Sequence, residues 1–178
     1  METPTLLINE KQFKLLSLAE KRIAICKDVI ARIESQKIIP YSGQFWRGRD
    51  SILDSMKEKL SPQEYFNKNS CQVCAKGAIF CSWIGNFNKL GWGQADCVSE
   101  CIEVLDEKKE PRYPKEILKV FGREFLDNLE AAFEGDAYDW HYDREETLRY
   151  AVGFEGINKL GELMHNIIMN NGKLIIPE

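Results

Sequence analysis

The sequence predicts an all-α fold: one domain, residues 1–178, arranged as a helical bundle of about six or seven helices joined by short irregular loops. Three observations predict it. Apolar residues recur at helical spacing between Ile8 and Gln36, the segment Cys71 to Phe87 is apolar nearly all round, and no set of alternating strands stands out.

The first element is expected to be one helix over 8–36. Asn9 can cap it, with Gln12 in the reciprocal position three residues on. Phe13, Leu16, Ile23, Ile30 and Ile33 form its apolar stripe, and Glu20, Lys21, Lys27, Asp28 and Glu34 fall largely outside that stripe. The helix should end before Pro40, since the residue preceding a proline is pushed out of the α region. Residues 40–49 read as a loop that is aromatic and basic together, with Tyr41, Phe45, Trp46, Arg47 and Arg49. A short helix is expected over 51–60. Ser61-Pro62 then starts another in the usual order, cap then proline, with Glu64 in an acidic first turn.

Ser70 is expected to cap a central helix over 71–87. On a helical wheel Cys71, Cys74, Ala78, Cys81 and Gly85 share a face of small side chains, and Val73, Phe80, Ile84 and Phe87 form a bulky one. Gln72 and Lys76 make a narrow polar stripe, so the helix belongs in the middle of the protein. A loop around Trp92 and a helix over 94–109 follow. Residues 114–134 carry Ile117, Leu118, Phe121, Phe125, Leu129 and Phe133 at helical spacing. An acidic, aromatic loop over 134–146 leads to a last helical region, broken near Gly153 or Gly156. Leu160, Leu163, Met164, Ile167 and Ile168 form its apolar stripe, Asn171-Gly172 is its stop signal, and residues 173–177 read as an extended strap.

The bulk properties exclude some functions. Net charge is −4, which argues against a broad nucleic-acid footprint. No run of about 18 apolar residues is present to span a bilayer. The N-terminal sequence lacks the pattern of a secretory signal, and six cysteines without one point to reduced thiols and a cytoplasmic location.

Few residues carry legible chemistry. Cys71 and Cys74, with Cys97 and Cys101 as a second pair, are weak zinc candidates. They sit within helix signals and lack the turns of zinc knuckles, so packed core thiols are the reading adopted, with no metal and no cofactor expected. A redox pair at Cys71-Gln-Val-Cys74 lacks the strand before the helix that thioredoxin-like chemistry uses. In the acidic loop Asp136, Asp139, Asp143 and Glu145 offer hard oxygens, with Trp140 and His141 among them, but not at EF-hand spacing. No catalytic residue is assigned. The candidate partner- or ligand-binding residues are the exposed aromatic and charged ones: Trp46, Arg47, Arg49, Trp92, Asp139, Trp140, His141 and Asp143. Tryptophan, tyrosine and arginine anchor protein contacts, and rings beside arginines also stack on bases.

Four stretches together resemble a family of small uncharacterised proteins found in Bacteroidetes and their bacteriophages: residues 22–33 with Gly43 downstream, Cys71-Gln-Val-Cys-Ala-Lys-Gly-Ala78, Leu129-Glu-Ala-Ala-Phe-Glu134 and His165-Asn-Ile-Ile-Met-Asn-Asn-Gly172. No functional residues carry over from it. The resemblance implies a phage or mobile-element setting, in the host cytoplasm. The expected function is therefore to bind and block a host protein or complex, such as an antiviral defence effector of a CRISPR or nucleotide-signalling system. The alternatives are a protein that sequesters a nucleotide and a metal-dependent hydrolase using the loop carboxylates.

Overall fold

The structure is a computed structural model. It describes residues 9–41, 60–87, 116–134 and 159–175, together with the backbone alone of 46–47, 115 and 154–158. The fold is mostly helical, as the sequence predicts. The described elements are α1 (Glu10–Leu15), α2 (Leu18–Glu34), β1 (Ile38–Pro40), β2 (Trp46–Arg47), α3 (Pro62–Lys68), β3 (Cys71–Val73), α4 (Ala75–Phe87), α5 (Lys115–Phe121), α6 (Arg123–Glu134) and α7 (Phe154–Met169). The helices expected over 51–60 and 94–109 and the acidic loop after Glu134 lie outside the described residues. None of the described helices is long and apolar enough to cross a membrane.

The expected first helix is two helices. Asn9 and Gln12 form the predicted capping box of α1, but Ser17 and Glu20 form a second one that restarts the chain as α2. Leu16 and Ser17 are both extended, and the chain turns a corner there. The corner swings Phe13 onto α4, where it is buried beside Trp83 and Phe87. Ser61 and Glu64 box α3 in the same way, with Pro62 in its first turn.

The central helix begins later than its spacing suggests. Cys71–Val73 is a strand: Cys71 and Val73 point into the core while Gln72 stays half-exposed, an alternation of period two. The described strands form a small sheet in the order β1-β3-β2. β1 runs parallel to β3 with Ile38 opposite Cys71, and β2 runs antiparallel with Trp46 opposite Val73. Ser70 is no helix cap; its hydroxyl donates to the Gln36 carbonyl at 2.6 Å. Cys74 stands just before α4, and its sulfur accepts from the Gly77 N–H at 3.4 Å. Every residue of α4 except Lys76 and Asn86 is buried, so its place at the centre of the molecule is as expected.

The segment 114–134 also divides. Gly122 takes φ +76°, a left-handed conformation that ends α5 and lets α6 start at Arg123. Conversely, α7 runs through Gly156 without a break. It ends as predicted: Asn171 and Gly172 both have positive φ, and the Gly172 N–H donates back to the Ile167 carbonyl at 2.8 Å. The following residues are held as a strap, because the Asn166 side-chain amide donates to the Ile175 carbonyl and accepts from its N–H.

α7 packs on α2 and buries Leu160, Met164 and Ile167 in one core with Ile25 and Val29. Arg22 rivets this region. Its guanidinium donates to the carbonyls of Val120, Phe121 and Gly172 and lies over the Phe125 ring, 4.6 Å from the centroid.

Candidate functional site

Of the residues the sequence singles out, Trp46 and Arg47 lie on β2, where only the backbone is described. Arg49, Trp92, Asp139, Trp140, His141 and Asp143 lie outside the described residues, as do Cys97 and Cys101. Cys71 and Cys74 are buried, on β3 and just before α4. Burial pushes the Cys74 thiol well up, and the Glu130 carboxylate adds to the shift; burial also raises Cys81 and Cys26. The helix N-terminus therefore yields no activated thiolate at Cys74. Among the described residues, no group of three or more His, Cys, Asp or Glu side chains converges as a metal site would. His165 is exposed on α7.

Sequence spacing also hides a buried polar cluster. Asp28 sits outside the apolar stripe on a simple wheel, yet it is buried against α4. Its Oδ2 accepts from Arg32 Nε at 2.6 Å, Ser82 Oγ at 2.7 Å and Asn86 Nδ2 at 2.9 Å. Arg32 is 1% exposed and spends its remaining donors on the Phe66 carbonyl and Asn67 Oδ1. Asn67 in turn donates to the Gly85 carbonyl. Gly85 is what admits the guanidinium: a Cβ there would stand 2.9 Å from Arg32 Cζ and 2.8 Å from Asn67 Oδ1. The small face of α4 thus makes room for a charged side chain from α2. A buried ion pair held by this many hydrogen bonds fixes how α2, α3 and α4 dock. Asp28, Arg32 and Ser82 are buried, and Asn67 and Asn86 at the edge of the cluster are half-buried.

Among the described residues, an open cleft lies where α1, α2, α4 and α5 meet. Its volume is about 170 Å³. Each helix contributes one face. Glu10, Phe13 and Lys14 come from α1, Lys21 from α2, Trp83 and Phe87 from α4, and Glu116, Lys119 and Val120 from α5. On three of these helices the spacing is i, i+3 or i+4, which places the residues on one side of the helix. The floor is aromatic. Phe13 meets Trp83 edge-on at 5.6 Å between centroids, Phe13 lies 4.7 Å from Phe87, and Trp83 lies 5.0 Å from Phe87. Such edge and tilted pairs add about 0.5–1.5 kcal/mol each beyond burial, so the floor is a firm surface.

The rim is charged. Lys14 Nζ pairs with Glu10 at 3.0 Å, while Lys21, Lys119 and Glu116 form no ion pair among the described residues. The floor also holds a loose end. Trp83 is buried, and its Nε1–H finds no acceptor among the described residues.

The sequence reading assigns Phe13 to the core, leaves Lys21 outside the apolar stripe and does not single out Trp83 or Lys119. The available signal was the i, i+4 pair of large aromatics, Trp83 and Phe87, near the end of a helix of mostly small and aliphatic residues. No family model, curated protein or solved structure matches the chain.

Proposed function

We propose that the protein works by binding, and that the cleft between α1, α2, α4 and α5 captures a compact ligand. One observation carries this reading: a rigid three-ring floor and a charged rim of three lysines and two glutamates occur together in the same concavity. Rigid apolar floors with a few polar groups at the edge are what small-molecule sites have in common. In the phage setting that the family resemblance implies, capture of a ligand in the host cytoplasm sequesters it from a host system, such as nucleotide-signalled antiviral defence.

A second reading is steric blocking of a host protein or complex. It draws on β2, whose Trp46 and Arg47 are held by backbone pairing at the outer position of the described sheet. Strand edges and Trp/Arg pairs are both common protein-contact features.

Native mass spectrometry of the full chain, purified from the host that expresses it, separates the two. Capture in the cleft expects a retained small mass that is lost from the Lys21→Glu/Lys119→Glu variant. The reading fails if that variant keeps the same mass. It also fails if no small mass is present and a host protein co-purifies that only Trp46→Ala/Arg47→Ala releases.

A further inference from the structure

We infer that Asn171 is a site of spontaneous covalent modification gated by the seating of α7 on α2. It is inert while the α7 end is packed, and it converts to aspartate or isoaspartate once that end lifts. The chemistry resides in the sequence. Asn171-Gly172 is the one Asn-Gly pair in the chain. The backbone nitrogen after an asparagine can attack the side-chain amide carbon, and glycine, with no Cβ, leaves that approach open. The Gly172 nitrogen gives its proton to hydroxide and bonds to Asn171 Cγ. The Cγ–Nδ2 bond breaks, and ammonia leaves with a proton from water, which regenerates the hydroxide. A succinimide ring remains. Water opens it at the Cγ–N bond to give aspartate, or at the original peptide bond to give isoaspartate. The sum is amide plus water to acid plus ammonia, with nothing oxidised or reduced.

The folded chain keeps the two partners of this reaction apart. Asn171 is exposed, whereas Gly172 is buried. The Gly172 N–H, whose nitrogen must attack, donates to the Ile167 carbonyl at 2.8 Å, and hydroxide must displace that bond to take the proton. The glycine is also fixed in place. Its carbonyl accepts from Arg22 Nη1 at 3.1 Å, and a Cβ on it would stand 2.7 Å from Ala19 Cα, so its backbone lies directly on α2. Beyond it, the Asn166 side chain holds the strap at both the N–H and the carbonyl of Ile175. Attack therefore requires the α7 end to leave α2.

The product does not fit the place the asparagine held. Either acid sets a carboxylate at the C-terminal end of α7, where the helix carbonyls already concentrate negative charge. Isoaspartate also adds a methylene to the main chain, which displaces Gly172 from its seat on Ala19 and from Arg22. An opening that lasts long enough to react thus leaves an end that no longer closes as before.

The test incubates the full chain in mildly alkaline buffer, folded and in urea. Conversion at each asparagine is followed by peptide mass spectrometry, with isoaspartate resolved by chromatography. Asn171 is expected to convert about tenfold or more slowly in the folded chain, a factor set by the free energy of opening the α7 end. Arg22→Ala releases the Gly172 carbonyl and should speed conversion in the folded chain by about threefold or more, with the rate in urea unchanged. Ser61→Ala weakens the fold through the cap of α3 instead and should leave the folded rate near that of the wild type. The converted wild-type chain, separated by ion exchange, should melt below the unconverted one. The wild-type comparison stands whether or not Arg22→Ala folds. The inference is overturned by equal rates in buffer and urea, by Ser61→Ala accelerating conversion as much as Arg22→Ala, or by an unchanged thermal midpoint in the converted chain.

Discussion

Replacing Gly85 by alanine inserts one methyl group into the most constrained place in the structure. Two effects oppose each other. Alanine is the better helix former by about 1 kcal/mol, which favours the variant. Against it, the new Cβ would stand 2.9 Å from Arg32 Cζ and 2.8 Å from Asn67 Oδ1, so the guanidinium must move. On an exposed arginine that movement would be cheap. Here Arg32 is buried and held by Asp28, the Phe66 carbonyl and Asn67. Overpacking costs about 1–3 kcal/mol, and losing a hydrogen bond to a charged group a further 1.5–3 or so. The net expectation is a loss of about 2–4 kcal/mol. Urea unfolding followed by circular dichroism at 222 nm reads it directly. At an m-value of about 1–3 kcal/mol/M, a loss near 3 kcal/mol lowers the midpoint by about 1–3 M. In an Arg32→Ala background the obstruction is gone, and Gly85→Ala should then be neutral or stabilising by up to about 1 kcal/mol. A wild-type midpoint for Gly85→Ala alone, or the same loss in both backgrounds, refutes the reasoning.

Three further outcomes are expected. Ser17→Ala removes the cap that restarts α2 and should cost about 1 kcal/mol in chemical unfolding; an unchanged midpoint means the Leu16–Ser17 corner is held by packing alone. Gly172→Ala should destabilise by about 2–4 kcal/mol, because its Cβ would meet the Ala19 backbone at 2.7 Å, whereas Gly122→Ala has open space around it and should lose only the left-handed penalty of about 1–2 kcal/mol; equal losses refute the contrast. Glu130 is held above its ordinary value of 4.5 chiefly by burial, so the folded state binds its proton more tightly than the unfolded chain. Its contribution favours the fold at acidic pH and is lost as pH rises from about 4.5 through the raised folded value. Glu130→Gln should therefore flatten the decline of stability in that window, and an identical pH profile in thermal melts counts against it. Glu20 and Glu64 act in the opposite sense at lower pH, since bonds from Ser17 and Ser61 hold both below the ordinary value.

Local signals carried much of the fold. The boxes at Asn9–Gln12 and Ser61–Glu64, and the Asn171-Gly172 stop, lie where their residue types place them. The misreadings also have physical causes. Ser17-Leu-Ala-Glu20 is the same capping signature, but apolar spacing from Phe13 to Ile33 runs across it, and a periodic stripe does not register a corner. Cys71 to Val73 is too short for an alternation of period two to stand out against the helical pattern that follows. The small face of α4 was visible, yet its occupant was not, because Asp28 and Arg32 look like a solvent-exposed i, i+4 pair until another helix covers them. The cleft lies beyond sequence reasoning for a different reason. Phe13, Trp83 and Lys119 converge only through the packing of four helices, and nothing local in any one of them reports the others.

Arg22 has a consequence for how the chain reaches its fold. Its three acceptors lie 98, 99 and 150 residues away in sequence. Closing loops of that length must precede any reward from the contacts they bring. Docking of α7 on α2 is therefore a late event, and a nascent chain lacks it until α7 has been made. Until then the α2 face bearing Ile25 and Val29 stands without the Met164 and Ile167 side chains that later cover it. Interactions absent from an early transition state act mainly on the unfolding rate. An Arg22→Ala chain should accordingly fold at nearly the native rate and unfold faster, which makes this residue a determinant of lifetime more than of attainability.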